Sequence, residues 1–245
     1  MKRIGIILSM LLVSYCNGIK SLQELTLIEF RSSGYSEIDS IEVNNQIRIA
    51  YLQDYTIYRT VTFDQNSGNF ASASSIYLND TTGTKRYSYY FFENKNKEGL
   101  VFNTKHQWKK FNHDLFIKSH GLDFANYDFF KLDLGNPAEV AYRDSKNIMI
   151  EKFANKLAGK YEPDSLYRYY DQRLKAIDFS FNRSLDLKSK SKLYKVGLVY
   201  HSSSSNNRRE DYFVISLVKD ATEEKKILEL FDEFKKRQKA SISQK

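Results

Sequence analysis

Apolar residues fall at even spacing through much of the first part of the chain. Ile41, Val43, Ile47, Ile49 and Tyr51 share one face of an extended segment, and after Gln53-Asp54 the alternation resumes in Tyr55, Ile57, Val61 and Phe63. Alternation on both sides of a two-residue break predicts an antiparallel hairpin. A first strand is expected over 24–30, within the stretch 19–35 that leads into the fold. A polar loop over 64–75 separates this hairpin from a second one, 76–78 with 86–92, turned by Asn79-Asp80-Thr81-Thr82-Gly83. A turn over 93–99 then leads into a further extended piece, 100–103.

The period changes in the middle. Trp108, Phe111 and Leu115 lie at i, i+3 and i+7, and Gly121 sits where a helix C-terminal glycine belongs. Asn136-Pro137-Ala138-Glu139 reads as a helix start, with an Asn cap, proline at the first position and Glu reaching back from the third. Ile150, Phe153, Ala154, Leu157 and Ala158 predict one helical stripe ended by Gly159, and Leu166, Tyr170, Leu174 and Ile177 continue the helical layer past Pro163.

Alternation returns in Ile177, Phe179 and Phe181, then Leu185 and Leu187, and in the pair 193–201 and 212–219. The polar stretch 202–210 joins that pair as a long hairpin loop. Asp220 can cap a final helix with Glu223 at its third position, and Ile227, Leu230, Phe231 and Phe234 give it an apolar face. Asp232–Lys236 and Glu233–Arg237 are i,i+4 pairs, each worth about 0.3–0.5 kcal/mol. The expected fold is α+β: a mainly antiparallel sheet built from hairpins, a helical middle segment and a C-terminal amphipathic helix. With no internal repeat and no Pro- or Gly-rich linker, one domain is expected over 36–240. A signal segment 1–15 and an anchor or linker 16–35 precede it, and a disordered tail 241–245 follows.

Composition adds two points. Eighteen tyrosines and seventeen phenylalanines in 245 residues suit a sheet with large rings on both faces, and tyrosine in particular suits a half-wet binding surface. The net charge of +8 falls to +6 once Lys2 and Arg3 leave with the signal, and acidic residues interleave with the basic ones nearly everywhere. That pattern reads as a solvated surface, and no nucleic-acid partner is expected.

Lys2-Arg3, an apolar run over 4–13 and Cys16, the single cysteine, form the start of the chain. The run is too short to span a bilayer as a stable helix and has the shape of an export signal. Residues 1–16 resemble bacterial lipoprotein signals, in which a run such as Leu12-Val13-Ser14 leads into the acylated cysteine. The resemblance implies cleavage before Cys16, lipid on its sulfur, and anchoring to the cell envelope, with the outer membrane expected. Each buried methylene of the lipid would add about 0.8 kcal/mol. Tyr15 departs from the pattern, where a small residue is usual, so cleavage after Gly18 and a soluble periplasmic or secreted product stay open. Either way no disulfide can form within the mature chain, and packing alone must hold it.

Candidate chemistry is sparse. His106, His113 and His120 recur every seven residues, but that spacing on a helix separates them by about 10.5 Å. They cannot share one zinc ion with bonds of about 2.1 Å. A metal site would have to combine His113 or His120 with Asp114 or Asp123; surface or half-buried histidines on an amphipathic helix are the preferred reading. Asp123, Asp128 and Asp133 have no nucleophile or histidine fixed beside them by spacing. Tyr167, Arg168, Tyr169 and Tyr170, with Arg173, interleave rings and cations as a stacking surface for bases or sugars would, but a helix with one buried and one wet face is the preferred reading. No catalytic or phosphate-binding motif is present, and no cofactor is implied. The expectation is a lipid-anchored envelope protein with a non-enzymatic binding or structural role, touching the membrane through its lipid and a protein or glycan through its body. The alternatives are a periplasmic carrier or chaperone for an apolar ligand, and a secreted hydrolase.

Overall fold

Period-two alternation is realised in a single antiparallel sheet. The computed structural model describes residues 25–36, 41–63, 85–103, 105–124, 127, 130, 135–155, 163–201 and 208–242. Cys16 with its signal segment, the expected strand 76–78 with its turn, and the tail beyond 242 lie outside them. Eleven strands run in the spatial order β6-β5-β4-β3-β2-β1-β11-β10-β9-β8-β7. They are β1 (Thr26–Ser36), β2 (Ile41–Leu52), β3 (Tyr55–Phe63), β4 (Lys85–Glu93), β5 (Glu98–Phe102), β6 (Trp108–Asn112), β7 (Glu139–Arg143), β8 (Ile148–Ala154), β9 (Ser165–Asp171), β10 (Lys192–His201) and β11 (Arg208–Leu217). The α-helices among the described residues are α1 (His113–Ser119), α2 (Arg183–Ser189) and α3 (Ala221–Ile242).

The chain meanders outward from β1 to the edge strand β6. It then starts again at the far edge, β7, and works inward until β11 lies beside β1. That last pairing, from Ile28 opposite Leu217 to Ser33 opposite Tyr212, joins the two halves. β1, which overlaps the first strand expected over 24–30, is therefore a central strand of the sheet. The hairpin of β2 and β3 and the pair β10 and β11 match the expected alternation.

Registers assign side chains to faces. Ile28, Phe30, Ile47, Ile49, Tyr58, Leu166, Tyr170, Val196 and Ile215 point to one face, where Phe116 of α1 and Leu185 of α2 join them. Phe124, Phe130 and Phe181 fill that core, with Phe130 stacked on Phe181 at 4.8 Å and Phe124 edge-on to Phe30 at 5.4 Å. Leu27, Ala50, Leu52, Tyr55, Ile57, Tyr89 and Phe91 point to the opposite face, where Ile227, Leu230, Phe231 and Phe234 of α3 cover them. Asp220 caps α3 as expected, accepting from the Glu223 amide at 3.0 Å.

The helical middle is the main correction. Trp108 and Phe111 belong to β6, Glu139 opens β7 instead of a helix, Ile150 and Phe153 lie in β8, and Leu166 and Tyr170 in β9. A spacing of four is even, so a strand and a helix both bring Leu166 and Tyr170 to one side. The residue that separates the readings is the one between them: Arg168 is buried on that same side, and a charged residue conceals a buried strand position. Phe179 and Phe181, expected in a strand, lie in an irregular stretch between a 3-10 turn (Gln172–Leu174) and α2, and Leu185 and Leu187 are helical. The Lys192 ammonium donates to the Phe179 carbonyl at 2.9 Å and to Asp186 at 2.8 Å, satisfying buried backbone where no neighbouring strand does. Gly121 does follow a helix, the short α1: it has φ +65°, and the Leu122 amide donates to the Ile117 carbonyl at 2.9 Å in a Schellman closure.

Candidate functional site

Helix α3 covers the β1–β6 half of its face. The β7–β11 half of the same face carries no helix among the described residues. Two rows of side chains cross it in register. One runs Lys152, Tyr167, Gly197, Tyr212; the next runs Ile150, Tyr169, Lys195, Val214. Tyr167, Tyr169 and Tyr212 are each partly exposed, and the Tyr167 and Tyr169 rings lie 6.3 Å apart.

Lys195 is the centre of this patch. Its ammonium lies 5.1 Å from the Tyr169 ring centroid, 5.6 Å from that of Tyr212, and 2.9 Å from Glu210 Oε1. Glu210 reaches that position because β10 has glycine opposite Tyr167 and Tyr212. A Cβ on Gly197 would stand 2.9 Å from the same carboxylate oxygen, closer than such atoms approach. Lys152 lies over the Tyr167 ring at 5.8 Å. Burial pushes the Tyr169 hydroxyl up from its ordinary value, so it is a neutral donor at neutral pH. The part-exposed Lys195–Glu210 pair contributes only about 0–1 kcal/mol to stability, so folding does not require it. Ring faces beside an ammonium–carboxylate pair can stack on the C–H face of a ring-shaped ligand while donating to and accepting from its hydroxyls.

The residues singled out from sequence divide between the two faces. Tyr167 stands on the open one. Arg168 and Tyr170 are directed to the core, with relative exposures of 2% and 1%. There the Tyr170 hydroxyl donates to Glu151 at 2.9 Å, and the Arg168 guanidinium lies 5.0 Å over Phe153, its pKa lowered by burial. Arg173 is bound in ion pairs with Asp171 at 2.7 Å and Asp144 at 2.5 Å, fastening the β7–β8 turn to the end of β9. Strand geometry therefore keeps Tyr167 and Tyr169 of that run on the open face, turns Arg168 and Tyr170 to the other, and adds Tyr212, Lys195, Glu210 and Gly197. Tyr212 and Lys195 become neighbours of these rings only through the register.

The metal candidates also separate. His113 starts α1, stacked on Phe92 at 3.7 Å and with its Nε2 at 3.2 Å from the Tyr58 hydroxyl. His120 closes the helix, with Nδ1 2.9 Å from the Phe116 carbonyl and its ring 4.1 Å from that of Phe116. Asp123 lines a shallow dent with Lys118, Gly121 and Tyr127. Among the described residues no three of His, Cys, Asp and Glu gather where they could hold one metal ion. No described helix is long and apolar enough to cross a membrane. The sequence matches no protein-family model and no curated protein.

Proposed function

We propose that this chain is an exported envelope protein, anchored through lipid on Cys16, with a non-enzymatic binding role, and that the open tyrosine face of β8–β11 is its ligand surface. The ligand class that suits the face best is a glycan. The observation that carries this reading is the Lys195–Glu210 pair held among Tyr167, Tyr169 and Tyr212 on the part of the sheet that α3 leaves uncovered. Pyranose rings present a C–H face to aromatic carbons and equatorial hydroxyls to an ammonium and a carboxylate. The carrier alternative draws less support, because phenylalanine rings fill the space between the sheet and α1 and α2. The hydrolase alternative needs a free histidine or paired carboxylates, and His113 and His120 are engaged in stacking and hydrogen bonds.

Two experiments test it. An array of neutral and acidic oligosaccharides probed with the purified protein should return binders. Tyr167→Ala and Tyr212→Ala should each weaken them about tenfold, the loss expected of one stacked ring with its hydrogen bond. Binding that survives both substitutions, or no binding to any sugar, rejects the glycan surface. For the anchor, metabolic palmitate should label the wild-type protein in its bacterial host and leave Cys16→Ala unlabelled; an unlabelled wild-type protein rejects lipidation.

A further inference from the structure

The two edges of the sheet differ in a way that bears on association. β6 carries Lys109 and Lys110, exposed and directed to opposite faces, with Lys110 at the midpoint of the strand. Antiparallel pairing of this edge with its own copy would set the two Lys110 ammonium groups against each other, a common protection against edge-to-edge contact. β7 carries no such block. Its five residues are Glu139, Val140, Ala141, Tyr142 and Arg143, with a carboxylate at one end, a guanidinium at the other and alanine in the middle. Of the seven large apolar side chains that stand exposed among the described residues, two belong to this short strand, Val140 at 45% and Tyr142 at 58%.

We infer that β7 pairs with β7 of a second copy of this chain, antiparallel and centred on Ala141, joining two sheets edge to edge around a two-fold axis. The sequence of the strand is complementary to itself in that register. Glu139 falls opposite Arg143 of the partner copy at both ends, on the face that also carries Lys152 and Tyr167. Val140 falls opposite Tyr142 of the partner copy at both ends, on the other face. Opposite charges and an aromatic against a β-branched residue are favourable cross-strand pairs, and a two-fold axis repeats each of them. The backbone groups of β7 that point away from β8 gain partners in the same step. The tyrosine faces of the two copies then lie on one side of a continuous sheet, so a long ligand could span both.

The test uses the full chain in bacterial membranes, with Ala141→Cys as the probe. The Cα atoms of the two copies at this position would stand about 4.5–5.5 Å apart, within reach of a disulfide. Mild oxidation should give a covalent homodimer from Ala141→Cys, and none from Lys110→Cys on the other edge or from the unsubstituted chain. Adding Glu139→Arg places like charges opposite one another at both ends and should cut the dimer about tenfold. Adding Arg143→Glu as well restores opposite charges and should restore the dimer. Glu139 and Arg143 are exposed, so these changes leave the fold intact, which circular dichroism checks. Absence of the Ala141→Cys dimer, cross-linking to a different protein, or a dimer indifferent to Glu139→Arg would each overturn the inference.

Discussion

Glu223 places one buried carboxylate against two guanidinium groups. Arg59 Nη1 lies 2.7 Å from its Oε2, Arg48 Nη1 contacts the same oxygen, and Arg48 also reaches Asp220 at 2.8 Å and Glu29 at 3.2 Å. This cluster locks the first turn of α3 to β2 and β3. Removing the carboxylate leaves both cations facing a sheet with their main partner gone, so Glu223→Ala should cost about 3 kcal/mol in urea unfolding. A loss below about 1 kcal/mol would mean that water compensates the arginines. The histidines give a pH dependence. Burial holds His113 and His120 below their ordinary value, outweighing Asp114 at the first and the Phe116 carbonyl at the second. As pH falls through about 6.5 the unfolded chain takes up these protons first, so stability is full above that pH and declines below it. The melting temperature should drop between about pH 7.5 and 5.5, and His113→Phe with His120→Phe should flatten the drop; an unchanged slope would exclude these two groups.

Among the elements, α3 is held chiefly by its aromatic face. Phe234 stacks on Phe91 at 5.3 Å and meets Tyr55 edge-on at 5.6 Å, while Trp108 donates its indole N–H to Glu233 at 2.8 Å. Truncating such a ring removes its transfer free energy and leaves a cavity, so Phe234→Ala should destabilise by about 3–5 kcal/mol, read from a chemical denaturation midpoint. A small effect would mean that α3 docks through its charges alone. The opposing edge shows why β6 is a strand. A Cβ on Gly99 would collide with the Phe111 ring and the Phe91 carbonyl, so the ring packs against the glycine of β5 that stands opposite it across the strand pair. Leu115, the third member of the expected helical stripe, is 68% exposed and contributes no core contact of that kind.

At the scale of the molecule, one sheet separates two cores and is completed by pairing β1 with β11, segments far apart in sequence. Such pairing must overcome loop-closure entropy before its contacts form, so folding should be slow for the chain length. Once formed, the centre is covered from both sides. Hydrogen exchange should therefore be slowest at Ile28, Phe30, Ile49 and Ile215 and fastest in β6 and β7, the edges. If β7 were protected as well as β1, that would be the signature of the edge pairing inferred above. If β1 exchanged as fast as β6, the two halves would be independent units.

By itself the amino-acid sequence determined the local features whose signals do not depend on distant partners. These are the β2–β3 hairpin, the β10–β11 pair, the cap and apolar face of α3, and the glycine closure after α1. Tertiary structure decided what local spacing leaves open. Residues four apart share a side in a helix and in a strand alike, so Leu166 and Tyr170 could not announce β9 while the intervening Arg168 concealed its burial. The open face required more still. Tyr167, Gly197 and Tyr212 become one row, and Lys195 and Glu210 one ion pair, only when three strands align in register, a non-local pairing that neither composition nor periodicity encodes.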